Sequence, residues 1–180
     1  MKKLVSAVLA AGMAVSLAAC GGAAASASAS DSDLAYIKGK GKMTIGYTVY
    51  EPMNYTDADG NFTGFDTELA TAVCEKLGVE PDFVEINWDS KVVELDGKSI
   101  DCIWNGMTIT EEVQRNTSVS DPYVKNAQVV VMPKNTAAGY DAVELLQGLR
   151  FAVEAGSAGE AAVKDLTGVT STAVQSDRKS

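Results

Sequence analysis

Short apolar runs alternate with segments of helical spacing from about residue 41 onward. Residues 43–47 and 81–86 favour strands, and between them apolar residues recur four positions apart, as on one face of a helix. We expect Asp66 to cap the start of this helix and Gly78 to end it. Further strands are predicted at 99–104, 127–132, Arg150–Glu154 and 169–174, and further helices after Asp89, near 111–115, at 141–146 and after Gly159.

Strands that alternate with helices indicate βαβ units and an α/β fold with a largely parallel sheet. Residues 127–132 are almost continuously apolar, which is typical of a strand buried on both faces. In open sheets of this kind, ligands bind beyond the carboxyl ends of the strands. The loops after Tyr47, Ile86 and Trp104 are therefore the region in which we expect a ligand.

The first residues have the pattern of a secretory signal. Lys2 and Lys3 precede an apolar stretch over 4–19 that is shorter than the roughly 20 residues of a membrane span. The stretch ends in LAAC, which resembles a bacterial lipobox, whose cysteine receives a diacylglycerol. We predict a signal peptide over 1–19 and lipidation at Cys20; an ordinary signal peptide with a chance cysteine is the alternative.

A tether is predicted after Cys20. Residues 21–32 are almost entirely Gly, Ala and Ser, a composition that cannot bury a core and behaves as a flexible linker. We place the linker over 20–40 and the start of the folded chain at 41. The linker and the lipid together predict an extracytoplasmic protein anchored to the bacterial cell membrane.

Composition excludes several classes of function. The formal net charge is −9 without a basic cluster, which argues against nucleic-acid binding. The chain has no His, so the usual general base and the commonest metal ligand are missing, and we expect no metal and no cofactor. Cys74 and Cys102 lie among apolar residues on different predicted elements, which favours buried thiols over a disulfide, although secretion permits a bridge.

Five short blocks then occur in a fixed order along the chain: GFD at 64–66, KSID at 98–101, GMTIT at 106–110, SDPY at 120–123 and EAGSAGE at 154–160. With these blocks the chain resembles, from about residue 41 to 175, the extracellular solute-binding proteins of polar amino-acid ABC importers. The resemblance implies a periplasmic-binding-protein-like fold, in which two α/β lobes close on a solute like a flytrap. It also implies capture of a small polar solute, an amino acid, for delivery to an ABC permease, without catalysis.

The resemblance also implies a domain organisation. Lobe 1 covers 41–126, and 127–180 holds a crossing strand and the first part of lobe 2. In the family the chain then returns to complete lobe 1, so we expect a fold that is incomplete at its C-terminus. A naturally short protein of one lobe is the alternative.

Two aromatic residues are candidates for the wall of the cleft. The family has an aromatic residue that packs on the solute near the position of Tyr50, although a surface loop would also hold one. Trp88 follows the second predicted strand, where its ring could form a cleft wall or cover the sheet edge.

Two loops are candidates for polar contacts. In the first, Asn105, Gly106, Met107 and Thr108, the glycine permits close backbone approach, and the family binds the charged α-groups of the solute there. The alternative is an ordinary turn with Thr108 or Thr110 as a helix cap. The second loop opens a helix whose free N–H groups attract an anion. It consists of Gly156, Ser157, Ala158 and Gly159.

Two departures from the family concern the solute. Ala158 replaces a common threonine, and Val113 stands where many members have an arginine that pairs with the α-carboxylate. Arg115 follows two positions later, about 200° around a helix, and points elsewhere. Either backbone donors alone hold the carboxylate, or the solute is not an ordinary α-amino acid.

A ligand-sensing module for a membrane partner and a dehydratase-like enzyme remain alternative functions.

Overall fold

The computed structural model describes residues 32–175. Its first unit contains α1 (Asp33–Lys40), β1 (Lys42–Tyr47), β2 (Tyr55–Thr56), β3 (Phe62–Thr63), α2 (Phe65–Leu77), β4 (Glu80–Glu85), a 3-10 turn (Trp88–Ser90), α3 (Lys91–Asp96), β5 (Cys102–Ile103) and α4 (Glu111–Asn116). After it come α5 (Lys134–Ala137) and a 3-10 turn (Val143–Leu146), and then a second unit of β6 (Arg150–Glu154), α6 (Ala158–Lys164) and β7 (Thr170–Val174). Within residues 32–175, no helix combines the length and the apolar character that a bilayer span requires.

The first unit is built on a parallel sheet in the order β4–β1–β5. Ile45 on the central strand is fully buried, and it belongs to one core cluster with Ala70 and Cys74 of α2 and Ile37 of α1. The second unit pairs β6 with β7, also in parallel. These two sheets have the parallel arrangement predicted from the alternation of strands and helices, while β2 and β3 form a separate antiparallel pair.

The N-terminal boundary of the folded part was predicted wrongly. Residues 33–40, assigned to the flexible linker, form α1, which Ser32 caps by accepting a hydrogen bond from the Ala35 N–H. Gly41, with φ 74°, ends the helix in the left-handed conformation. The structure therefore adds a helix to the first unit, because Ile37 finds a place in the core beside β1. The predicted signal peptide and Cys20 lie outside the described residues.

The strand predicted at 127–132 is also wrong. These residues have no strand pairing in the described chain, and Val129 and Val131 are 78% and 91% exposed. An extended segment becomes a strand only when a neighbouring backbone takes its hydrogen bonds. Here the segment is instead tied to the first unit by polar side chains, among them Asn126, whose amide donates to the Gly106 carbonyl.

The start of α2 differs from the prediction as well. Gly64 is the cap residue, and the N–H groups of Phe65 and Asp66 donate to the carbonyls of Pro52 and Met53. The Glu68 N–H, which an Asp66 cap would bind, donates to the Gly64 carbonyl, so the Asp66 side chain is free for another role. The predicted end at Gly78 is confirmed, with φ 73°.

Both cysteines of the described chain are free thiols. Cys74 is fully buried in the core, and Cys102 packs against the same cluster. Burial raises the pKa of the Cys102 thiol to about 12. The preference for buried thiols over a disulfide is confirmed.

Candidate functional site

A buried polar network joins the loops that follow β1 and β5. The Asn105 side-chain amide donates to the Thr48 carbonyl at 2.8 Å and to Asn54 Oδ1 at 2.7 Å, while its oxygen accepts from the Thr48 hydroxyl. Asn54 in turn donates to the Thr67 hydroxyl on α2. Asn105 thus spends both of its donors inside the protein, and it positions the loop by fixing its first residue.

Gly106 follows with φ 58°, a left-handed conformation that favours glycine. A Cβ at this position would lie 3.3 Å from the Tyr50 ring and 3.5 Å from the Met53 methyl group. The structure therefore brings together two predicted site residues, Tyr50 and Gly106, which lie far apart in the sequence. The close packing leaves the Gly106 backbone as the surface that faces the ring.

The two threonines after Gly106 have different roles. Thr110 caps α4, because its hydroxyl accepts the Val113 N–H at 3.2 Å. The Thr108 hydroxyl lies in the preceding loop and accepts a hydrogen bond of 3.4 Å from the Gln128 amide. Of the two capping candidates, the helix uses Thr110, and the Thr108 hydroxyl keeps a second lone pair and its proton for another partner. Met107, between Gly106 and Thr108, is partly buried.

Asp66 is a residue of this region that sequence reasoning assigned only to a helix cap. Its side chain is fully buried, and one oxygen accepts a hydrogen bond of 2.9 Å from the Tyr123 hydroxyl. The other oxygen lies 3.6 Å from where a Cβ on Gly106 would be. Burial raises the pKa of this carboxyl, and the Tyr123 hydroxyl and the Gly106 N–H offset part of the increase. The GFD block contains Asp66 and the SDPY block contains Tyr123, but neither block indicated that these two side chains form a hydrogen bond.

The predicted anion site at Gly156, Ser157, Ala158 and Gly159 is partly occupied by the protein itself. Ser157 caps α6 by accepting the Glu160 N–H at 3.1 Å, and the Glu160 carboxylate accepts the Gly156 N–H at 2.8 Å. This reciprocal pair is a variant of the capping box. The Lys164 ammonium and the Gly156 N–H lower the pKa of Glu160, so this internal carboxylate holds its charge at the turn.

The 88–91 turn of the first unit contacts the 156–159 turn of the second. The Lys91 ammonium donates to the Gly156 carbonyl at 2.9 Å. A Cβ on Gly156 would lie only 2.8 Å from a carboxylate oxygen of Asp89. Trp88 is partly buried beneath Lys91, whose ammonium lies 4.9 Å from the ring centroid. Trp88 is thus placed at the contact between the two units, facing a cation.

Gln128 makes a second connection between the units. Its amide donates to Thr108, and its oxygen lies 3.1 Å from where a Cβ on Gly159 would be. Sequence reasoning missed Gln128 because it counted residues 127–132 as one apolar run. The polar residue within that run was the available signal. Contacts of Lys91 and Gln128 thus join the 88–91 turn and the 105–108 loop to the 156–159 turn, and the region between these three segments is termed the cleft.

Neither position 113 nor position 115 supplies a positive charge to this cleft. Val113 is a buried residue of α4, and Arg115 is an exposed residue that pairs with Glu111 at 3.6 Å on the same helix. The expectation that Arg115 points elsewhere agrees with this arrangement.

A cavity of about 1000 Å³ lies between the 105–108 loop and α1. Its lining includes all four residues of the loop, together with Leu69, Val73 and Tyr123. Tyr50, Trp88 and the 156–159 turn do not line it. The cavity and the cleft therefore share only the 105–108 loop.

Comparison with known families gives one match that covers most of the chain. Bacterial extracellular solute-binding proteins, family 3, match residues 43–175. The arginine-binding extracellular protein ArtP of Bacillus subtilis is 33% identical over 168 residues, which are 93% of this chain and 61% of the relative. The L-cystine-binding protein TcyA of the same species is 38% identical over 141 residues, which are 75% of this chain and 52% of the relative. The chain thus spans about half to three fifths of these relatives' lengths.

Solved structures give a matching result. The ancestral amino acid-binding protein AncCDT-1, a precursor of cyclohexadienyl dehydratase, has a TM-score of 0.75 and 32% identity over 79% of this chain and 65% of that chain. Holo ArgBP from T. maritima has a TM-score of 0.72 and 34% identity over 77% of this chain and 62% of that chain.

Proposed function

This chain belongs to family 3 of the bacterial extracellular solute-binding proteins, and on that premise we propose that it binds an amino acid outside the cell membrane and delivers it to an ABC permease. Membership and the structural likeness also establish the fold class, the α/β fold of two-lobe binding proteins. The protein is extracytoplasmic, since the family consists of extracellular proteins.

One observation carries the proposal: two loops at the carboxyl ends of the first sheet face the 156–159 turn across a cleft that Gln128 and Lys91 connect. Such a crevice is where an open α/β sheet binds its ligand. The relatives named above as arginine-binding and L-cystine-binding support an amino acid as the solute. Capture would favour a closed state in which the solute contacts both units.

The proposed contacts follow the predicted site. Tyr50 and Trp88 supply ring surfaces, and the backbone of Gly106 and Met107 and the Thr108 hydroxyl supply polar groups, with Asn105 as the residue that positions them. The Ala158 and Gly159 N–H groups supply donors from the second unit, since Glu160 takes the N–H of Gly156. The role is binding and release without covalent chemistry, in keeping with relatives that are named binding proteins.

We extend the proposal to the N-terminus. Lipidation of Cys20 would hold the protein at the membrane surface, and the two acyl chains of a diacylglycerol are sufficient for stable anchoring. The Gly, Ala and Ser residues before α1 would then let the folded part reach the permease.

The two threonines of the 105–110 segment provide the test. In the intact protein, Thr108→Val is expected to weaken binding of the solute found in a thermal-shift screen by about 1–3 kcal/mol, because a buried polar partner loses its hydrogen bond. Thr110→Val is the matched control, which should lower the stability by about 1 kcal/mol through loss of the α4 cap and leave the affinity nearly unchanged. Isothermal titration calorimetry and urea unfolding measure the two effects. An unchanged dissociation constant for Thr108→Val would remove this residue from the site. A thermal-shift screen in which no amino acid binds would refute the proposed amino-acid binding.

A further inference from the structure

Lys91 occupies a position in the cleft that is built for a cation. Its ammonium donates to two backbone carbonyls, that of Trp88 at 3.1 Å in its own turn and that of Gly156 at 2.9 Å in the opposite unit. It also lies 4.9 Å from the centroid of the Trp88 ring. Carbonyl oxygens and the face of an indole are both groups that attract positive charge.

Carboxylates surround the same position. Glu112, Asp89 and Glu154 all interact electrostatically with the Lys91 ammonium, while burial lowers the pKa of Lys91. One oxygen of Glu154 is buried and has no hydrogen-bond partner among the described residues. Three negative groups therefore face one positive group, and without Lys91 this part of the cleft would present negative charge and a bare aromatic face.

We propose that Lys91 is a specificity-determining residue, which fills the cation position between Trp88 and Gly156 and so prevents a positively charged side chain of the solute from binding there. The inference rests on the proposed function, since it assumes that this cleft receives an amino acid. It assigns to the solute an uncharged side chain, since Glu112, Asp89 and Glu154 would repel an acidic one. The ammonium of Lys91 would repel a second cation placed beside Trp88 and Gly156, whereas a neutral group of the same shape meets no such repulsion.

The test compares arginine with citrulline, which has nearly the same shape and no charge. Dissociation constants are measured by calorimetry on the intact protein for the wild type, Lys91→Met and Lys91→Gln, with Lys91→Arg as a variant that keeps the charge. Lys38→Met on α1 removes an exposed lysine from the first unit and serves as the control for net charge.

We expect the wild type to prefer citrulline, and Lys91→Met and Lys91→Gln to raise the affinity for arginine relative to citrulline at least tenfold. Lys91→Arg and Lys38→Met should keep the preference of the wild type. A relative affinity that stays the same in Lys91→Met and Lys91→Gln would overturn the inference and leave a structural contact between the units. A wild type that prefers arginine would overturn it as well. A protein for which no amino acid produces a thermal shift would refute the proposed function itself, so the two failures are distinguishable.

Discussion

Asp66 is a buried carboxylate beside Gly106, with the Tyr123 hydroxyl on one oxygen and no hydrogen bond of good geometry on the other. A charged group in such surroundings costs stability unless its partners compensate for lost water. Its place beside Gly106 links the SDPY block to the 105–108 loop. Tyr123, in the segment after α4, thereby contacts α2 through this hydrogen bond and also stacks on Phe65.

The raised pKa of Asp66 predicts how stability depends on pH. Because the folded protein takes up this proton at a higher pH than the unfolded chain, the free energy of unfolding falls as pH rises from the ordinary value of 3.8 through the raised pKa. Asp66→Asn keeps an acceptor for Tyr123 and cannot ionise. The variant should therefore gain stability relative to the wild type over this interval, as measured by urea unfolding between about pH 3.5 and 8.

Asp57 provides a control of opposite sign. Hydrogen bonds from Asn61 lower its pKa, so its contribution to stability is present above the ordinary value and is lost as pH falls. Asp57→Asn should therefore lose stability relative to the wild type at neutral pH and match it in acid. A pH-independent difference between Asp66→Asn and the wild type would contradict the assigned burial of Asp66.

At the scale of elements, α1 shows how a short helix becomes part of a core. It has only eight residues, too few to be stable alone, and a single residue, Ile37, is buried. The capping Ser32 and the final Gly41 mark its ends in the sequence. The helix was nevertheless assigned to the linker, because a segment of Gly, Ala and Ser residues precedes it. The helix is stable because β1 follows at once and Ile37 packs beside Met43 and Ile45.

We predict that Ile37→Ala destabilises the protein by about 2–4 kcal/mol, because it removes buried methyl groups from a packed cluster. Leu34→Ala on the same helix is the matched control, since Leu34 is 45% exposed and Ile37 only 9%. Urea unfolding compares the two variants. Equal small losses would mean that α1 does not contribute to the core.

For the molecule as a whole, the contact between the two units depends on a glycine. Gly156 has φ 67°, and a Cβ there would lie 3.0 Å from the Asp89 Cα and 2.8 Å from its carboxylate. The main chain of the 88–91 turn is part of this close approach. An added methyl group would therefore push the 88–91 and 156–159 turns apart.

Gly156→Ala should weaken solute binding at least tenfold, which is about 1.4 kcal/mol, because the closed arrangement no longer fits. Gly148→Ala is the matched control: its φ is 79°, and a Cβ there would have no neighbour within 4 Å. Both variants carry the cost of a left-handed alanine, roughly 1–2 kcal/mol of stability, but only the first separates the units. Calorimetry measures the affinity, and small-angle scattering measures the separation. Equal affinities in the two variants would show that this contact is absent from the bound state.

Features with a local cause were predictable from the sequence. The helix α2 ends at Gly78, as predicted, because glycine takes a positive φ without steric cost, and alternation of strands and helices indicated the parallel sheets. The two loops predicted to make polar contacts with the solute, the 105–108 loop and the 156–159 turn, follow strands of parallel sheets, as the general rule for ligand positions requires.

Tertiary structure alone decided features whose cause lies far away in the chain. Residues 127–132 have the composition of a strand, but strand formation requires hydrogen bonds from another backbone, and composition does not report whether one is present. Asp66 looks like a helix cap until the helix starts earlier, at Phe65, and the Glu68 N–H, which an Asp66 cap would bind, donates to the Gly64 carbonyl. Lys91 looks like a surface lysine until the carbonyl of Gly156, 65 positions later, accepts its hydrogen bond across the cleft. Each of these outcomes depends on which groups the fold brings within hydrogen-bonding distance, and no local pattern in the sequence specifies that distance.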